Sequence, residues 1–317
     1  MRNAFSEALV AAARRDARVL LLTGDHGYSL FDAFRRAFPE RFLNAGVAEQ
    51  NMVGVAAGLA KSGLRPVVYG LSAFVPVRVL EQIKLDVCYE ALPVLFIGDG
   101  AGVVYSSLGT SHQSTEDVAA LRALPAMRIL SPADAHEMKA CMALAFAAEG
   151  PVYLRMGKAD LGEVHEAEPP LSWDQLLPLR TGFGPLAWIA TGSMVRTALA
   201  AAEHWPDSAV FSCPSLKPLP EESVAGVCRR HRVVVTLEEH SVLGGLGGAV
   251  AEVAAARAPT WVCRIGIPDR FSRYCGSYQY LMKEHRLDAE SVVAQVKAFL
   301  RHLPSARAVE FAGRQAA

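Results

Sequence analysis

Glu49 is the side chain in this 317-residue sequence best placed for proton chemistry. It stands in Gly46-Val47-Ala48-Glu49-Gln50-Asn51-Met52, which runs on into the small and apolar residues Val53 to Ala60. That run holds no proline and lasts about three turns, so it reads as a buried helix with Glu49 at or near its start. Free N–H groups and the helix dipole favour a carboxylate at that position, which is the plain structural reading of the residue. The neighbours Val, Ala, Gly and Met argue for more. A carboxyl in so apolar a setting can donate or share a proton in catalysis. His26 and His112 are further candidates by residue type, although a lone histidine is ordinarily a satisfied surface or core residue.

The elements that position these groups alternate. Ala4 to Arg15 has the pattern of an amphipathic helix, and Val19 to Gly24 is a continuous apolar run of strand length, as in a strand buried on both faces. Asp25, His26, Gly27, Tyr28 and Ser29 follow as the loop at its carboxyl end, where such sheets bind ligands. Arg41 to Asn44 reads as a short strand before the Glu49 helix. Further strands are expected at Pro66–Gly70, Pro93–Gly98, Met127–Leu130 and Val152–Leu154. The helices between them are Val79–Glu90, Glu116–Ala123 behind a Ser114-Thr115 cap, and Ala135–Ala148. From Lys158 to Thr181 the pattern dissolves into Asp, Glu and Pro, which reads as an interdomain linker. A second alternating unit then covers Leu186 to Leu300. The fold class is α/β, with two domains, each a mostly parallel sheet flanked by helices. The boundaries expected are 1–157, a linker at 158–183, a second domain at 184–303 and a frayed tail at 304–317.

Hydrophobic residues make up 51% and charged residues 20%, which is a globular composition. Lys plus Arg and Asp plus Glu are 32 each, so no net charge argues for nucleic acid or an anionic membrane. The six cysteines show no metal spacing and fit a reducing compartment. No apolar leader opens the sequence and no run reaches a membrane span, so a cytoplasmic location is expected.

The stretch GVAEQNMVGVAAGLA resembles the segment with which transketolases, deoxyxylulose phosphate synthases and 2-oxoacid dehydrogenase β subunits hold the aminopyrimidine of thiamine diphosphate. Glu49 matches the family glutamate that bonds the ring nitrogen N1′ and promotes deprotonation at C2. Gln50 follows it in the same segment and belongs with the cofactor contacts. Phe74 matches the aromatic that stacks on the aminopyrimidine, and Asp25 an aspartate beside the cofactor. Gly109-Thr110-Ser111-His112-Gln113 matches the family's GxTHQ motif, whose histidine lies against the donor sugar hydroxyls. His26 faces the same region. Arg2 and Ser29 keep the spacing of an arginine and a serine that grip the substrate phosphate, and Arg155 matches a later phosphate arginine. Leu108 departs from the pattern, because an aspartate that reads a sugar hydroxyl usually stands there. Gly100 departs as well, near a position where the families place a cation. Both departures point to a modified, deoxygenated or sulfonated sugar, or a nonphosphorylated acceptor.

Ala190-Thr191-Gly192-Ser193 and the run Glu238 to Gly248 resemble the C-terminal domain of the same family. The glycines 244–248 read as close helix–strand packing rather than a phosphate cradle. Gly98-Asp99-Gly100 imitates the family's GDG motif, but no Asn follows at the required spacing, so it is coincidental. The resemblance therefore covers the pyrimidine-binding and C-terminal domains only. It implies an N-terminal partner subunit that carries the GDG motif and holds Mg2+ and the diphosphate, in an α2β2 assembly. The implied activity is transfer of a two-carbon ketol unit from a ketose to an aldose. Decarboxylating thiamine chemistry and a non-catalytic regulatory role are the alternatives.

Overall fold

A computed structural model describes residues 1–157 and 161–304. The first unit contains α1 (Arg2–Arg15), β1 (Val19–Thr23), α2 (Asp32–Ala37), β2 (Phe42–Asn44), α3 (Glu49–Lys61), β3 (Arg65–Leu71), α4 (Leu80–Gln82), β4 (Leu95–Asp99), α5 (Asp117–Arg122), β5 (Arg128–Leu130), α6 (Ala135–Ala147) and β6 (Val152–Met156). The second contains β7 (Leu177–Arg180), β8 (Leu186–Ala190), α7 (Met194–Ala202), β9 (Ala209–Ser212), β10 (Ser215–Lys217), α8 (Glu221–Arg230), β11 (Val233–Ser241), α9 (Leu246–Arg257), β12 (Trp261–Ile267), α10 (Tyr278–Glu284) and α11 (Ala289–Arg301). The first sheet runs β10-β5-β6-β4-β3-β1-β2 and the second β12-β11-β8-β9-β7. All ladders are parallel except β10 with β5 and β7 with β9. Two mostly parallel sheets flanked by helices are the expected class.

The apolar runs are strands buried on both faces. In β1, Leu20 and Leu22 enter one core cluster, while Val19 and Leu21 enter another with α1 and α6. Side chains alternate across a strand, so five successive buried residues serve two layers. The cluster that holds Leu20 and Met52 also holds Ile189, Val224 and Val250, so a single core runs through both units.

Several elements differ from the sequence expectation. α3 is half buried: Gln50, Asn51, Gly54, Val55, Gly58 and Lys61 are exposed or nearly so along one face. Its uniformly small composition hides that asymmetry. The helix expected at Val79–Glu90 is a succession of 3-10, α and π turns from Val77 to Cys88. Helix α5 does not use the Ser114-Thr115 cap: Ser114 Oγ donates to the Ser72 carbonyl, and Glu116 is the residue before the helix. Inside the stretch read as linker, β7 joins the edge of the second sheet, and Leu176 and Leu177 are buried. Strand β10 was not expected and crosses to the first sheet. Helices α8 and α10 were not expected either. The tail beyond 304 and the first linker residues, 158–160, lie outside the described residues. No described helix is long and apolar enough to cross a membrane.

Candidate active site

The carboxyl ends of the parallel strands gather the first cluster. Past β1, the Thr23 hydroxyl donates to the His26 carbonyl at 2.9 Å and accepts from the His26 amide at 3.3 Å. The turn puts Asp25 at φ +61°, in the left-handed region, where Asp is among the tolerated residues. Past β3, the Leu71 carbonyl accepts from the amides of Phe74 and Val75, both at 2.8 Å. These two turns bring the His26 ring to 5.9 Å from the Phe74 ring. His112 meets the same ring edge-on at 5.3 Å.

Glu49 opens α3 and is 4% exposed. Its Oε1 lies 3.2 Å from Arg78 Nη1, and the Arg78 guanidinium carbon sits 4.0 Å above the Phe74 centroid. Burying a carboxylate is costly without a partner, and Arg78 supplies the opposite charge. Glu49, Phe74, Arg78, His26 and His112 are thus one cluster, drawn from four chain segments. His26 Nε2 is buried without a hydrogen-bond partner. An orphaned buried nitrogen beside an aromatic face is a place for a ligand's polar atom. The sequence reading missed Arg78. The available signal was its spacing, four residues after Phe74 at the start of a helical segment.

A second group lies at the start of α1. Arg2, Ser29, Asn3, Ser6 and Arg36 line one surface cleft of about 460 Å³, so the structure does bring Arg2 and Ser29 together. Arg2 Nε also lies 3.8 Å from Asp99 Oδ2, a buried carboxylate that accepts from Tyr69 Oη at 2.5 Å and Tyr105 Oη at 3.2 Å. Asp99 belongs to the Gly98-Asp99-Gly100 run, whose glycines have structural causes. A Cβ on Gly98 would run into the Tyr153 hydroxyl, and Gly100 adopts φ +76° against the Tyr105 ring. Asp25 is exposed and accepts from Asn44 Nδ2 at 3.3 Å. Gln50 and Leu108 are exposed, the latter at 53%.

Arg155, expected at a substrate phosphate, joins neither group in this structure. It is 3% exposed. Its Nε bonds both oxygens of buried Asp117, at 3.1 and 2.8 Å, and its Nη2 bonds the carbonyls of Ser114 and Glu239. Those partners commit the guanidinium to tying the two units together. The tie continues through Glu239, which accepts from the Val103 amide, the Ser193 hydroxyl and Tyr278 Oη. Burial pushes the Glu239 carboxyl up, against the pull of these donors. His240 is held neutral beside it: Nδ1–H donates to the Ser241 carbonyl and Nε2 accepts from the Ala119 amide. Burial lowers its pKa to about 4. The glycines of 244–248 pack as expected. The amides of Leu246 and Gly247 donate to Glu238, so the α9 N-terminus already holds an internal carboxylate, and a Cβ on Gly247 would reach Thr236 and Arg264.

A buried carboxylate, an aromatic ring and two histidines thus gather at the strand ends of an α/β sheet, where such sheets bind ligands. Residues 1–163 match the transketolase pyrimidine-binding domain and residues 185–292 the transketolase C-terminal domain. The chain belongs to the transketolase family, as a subunit of the split kind. It is 34% identical over 298 residues to the 6-deoxy-6-sulfo-D-fructose transketolase subunit SqwH of Clostridium sp. (strain MSTE9), across 92% of each chain. It is 32% identical over 297 residues to one subunit of the apulose-4-phosphate transketolase of Actinobacillus succinogenes, across 92% of this chain and 95% of that one. A split-gene transketolase solved as an inactive β4 tetramer superposes with a TM-score of 0.85, at 36% identity, over 94% of this chain and 96% of that one. Relatives that are single subunits of split transketolases imply an N-terminal partner, and the family implies dependence on thiamine diphosphate. A buried carboxylate and an aromatic ring, Glu49 and Phe74, suit its aminopyrimidine, and the orphaned His26 nitrogen beside them is left for another polar atom. Among the described residues, no three His, Cys, Asp or Glu side chains gather to hold a metal ion.

Proposed function

We propose that this chain supplies the aminopyrimidine wall of a heteromeric transketolase, with Glu49 as the acid–base group on N1′ and Phe74 as the stacking face. The observation that carries this is the meeting of buried Glu49 with Phe74, His26 and His112 at the strand ends. Bound thiamine diphosphate would supply the carbon centre that cleaves and forms the carbon–carbon bond of ketol transfer. Gln50, in the first turn of α3, and Asp25, in the loop after β1, would add contacts to the cofactor. His112 and His26 move protons at the substrate hydroxyls, and Arg2 with Ser29 hold an anionic end of the sugar. Mg2+ and the diphosphate belong to the partner's GDG domain, since this chain matches only the other two domains of the family. We expect an α2β2 assembly, with the two kinds of subunit paired about a two-fold axis. A modified sugar is the substrate class, argued from the leucine at position 108; the relatives' names, a 6-deoxy-6-sulfo sugar and an apulose phosphate, are likewise of unusual sugars.

The test is Glu49→Gln in the complex with the partner. Hydrogen–deuterium exchange at the thiazolium C2 should slow by about 10²–10⁴-fold, the scale of general acid–base groups. An unchanged rate would reduce Glu49 to a helix-start carboxylate. Carbon dioxide release from a ketoacid in place of ketol transfer would move the chain to the decarboxylating branch.

A further inference from the structure

Arg78 has two partners, Glu49 and Phe74, and both carry the cofactor reading. The guanidinium is planar and cationic. It stacks on an aromatic face while donating N–H to a carboxylate. An aminopyrimidine on the proposed wall would take both positions, with its ring on Phe74 and N1′ against Glu49, one proton shared between them. The Glu49 side chain is only 5% exposed, so little of its surface remains for a second donor while Arg78 lies against it. The Arg78 side chain is itself 45% exposed and can turn outward without disturbing the core. Its backbone is fixed in the 3-10 turn Val77–Val79, so only the side chain need move.

We infer that Arg78 competes with the aminopyrimidine for Glu49 and Phe74, and thereby sets how tightly the site takes up thiamine diphosphate. This rests on the proposed cofactor wall. Exchanging Arg78 for a ring whose N1′ shares one proton with Glu49 keeps the buried carboxyl group hydrogen-bonded in both states, which avoids the cost of an unpaired charge. The competent fraction is the fraction of time Arg78 is turned away, and the apparent dissociation constant rises as that fraction falls.

The experiment is calorimetric titration of thiamine diphosphate into the partner complex at saturating Mg2+, for wild type, Arg78→Ala and Arg78→Lys. Arg78→Ala should bind about 3–10-fold more tightly, the effect of freeing a site covered most of the time. Arg78→Lys keeps the charge but not the stacking plane, and should fall between the two. A second readout is heat unfolding with and without cofactor. The cofactor-induced rise in Tm should be larger in Arg78→Ala, because Glu49 then lacks a partner until the ring arrives. Should Arg78→Ala fail to fold, Arg78→Gln keeps an N–H donor without the charge and should also bind more tightly than wild type. If the wild-type complex binds and the variants bind equally or more weakly, Arg78 supports the cofactor and the competition is wrong. If no complex binds, the cofactor wall itself is wrong, and this inference falls with it.

Discussion

Replacing Arg155 by Met should unfold this chain more readily without acting through substrate phosphate. Arg155 and Asp117 have side-chain exposures of 4% and 0%, and the guanidinium also bonds two carbonyls, one in each unit. Breaking one partner out of a buried pair costs about 3–5 kcal/mol, because the remaining charge stays buried. At roughly 2–4 °C per kcal/mol for a chain of this size, Tm should fall by about 6–20 °C. Asp117→Leu in the Arg155→Met background removes the stranded carboxylate and should recover at least half of the loss. Recovery stays incomplete because Tyr153 Oη, which donates to Asp117 at 2.7 Å, loses its acceptor. The assay is calorimetry plus urea unfolding of the chain at fixed pH, with coincident transitions as the check that both units melt together. The reasoning is refuted if Arg155→Met shifts Tm by less than about 2 °C while the partner complex loses affinity for phosphorylated substrate alone. Arg155 would then be the phosphate ligand that the sequence suggested.

Two further outcomes follow from the geometry. His240 has a native pKa near 4 against an ordinary 6.5, so unfolding takes up a proton between those values and stability falls as pH drops from 6.5 toward 4. The contribution is about 3 kcal/mol. Glu238, pushed up to about 7 by burial, acts in the opposite sense across 4.5–7, so the comparison of wild type with His240→Gln isolates the histidine's share. Nuclear magnetic resonance should find His240 neutral at pH 5.5, and a charged ring there would contradict the buried tautomer. Leu108→Asp should shift donor preference in the partner complex toward unmodified sugar phosphates. A hydroxyl-reading site discriminates strongly, whereas an apolar contact separates substrates by only about 1–3 kcal/mol. Unchanged kcat/KM ratios would show that position 108 does not read the donor.

The sequence by itself determined the class of fold and the place of Glu49 at the start of a helix. Apolar runs such as Val19 to Thr23 identify buried parallel strands because both faces must be apolar, and GVAEQNM places Glu49 at a helix start because the small, apolar, proline-free residues after it favour a helix. Short polar-edged elements were not legible. Strands β7 and β10 hold four and three residues and contain Pro178 and Lys217, so no period marks them, and only pairing with β9 and β5 makes them strands. The exposed face of α3 was equally invisible, since alanine and glycine look alike to a pattern whichever way they face.

What only the tertiary structure decided was which charged groups meet. Arg78 and Arg155 are both arginines, and nothing local separates their roles. The fold places one against Glu49 and Phe74 at a half-open mouth and buries the other between Asp117 and two carbonyls. The physical reason is that a charge is assigned its role by its desolvation and its partners. Phe74 is a local partner of Arg78, but the carboxylates and carbonyls that separate the two arginines lie 29 to 84 positions away, beyond the reach of any local pattern.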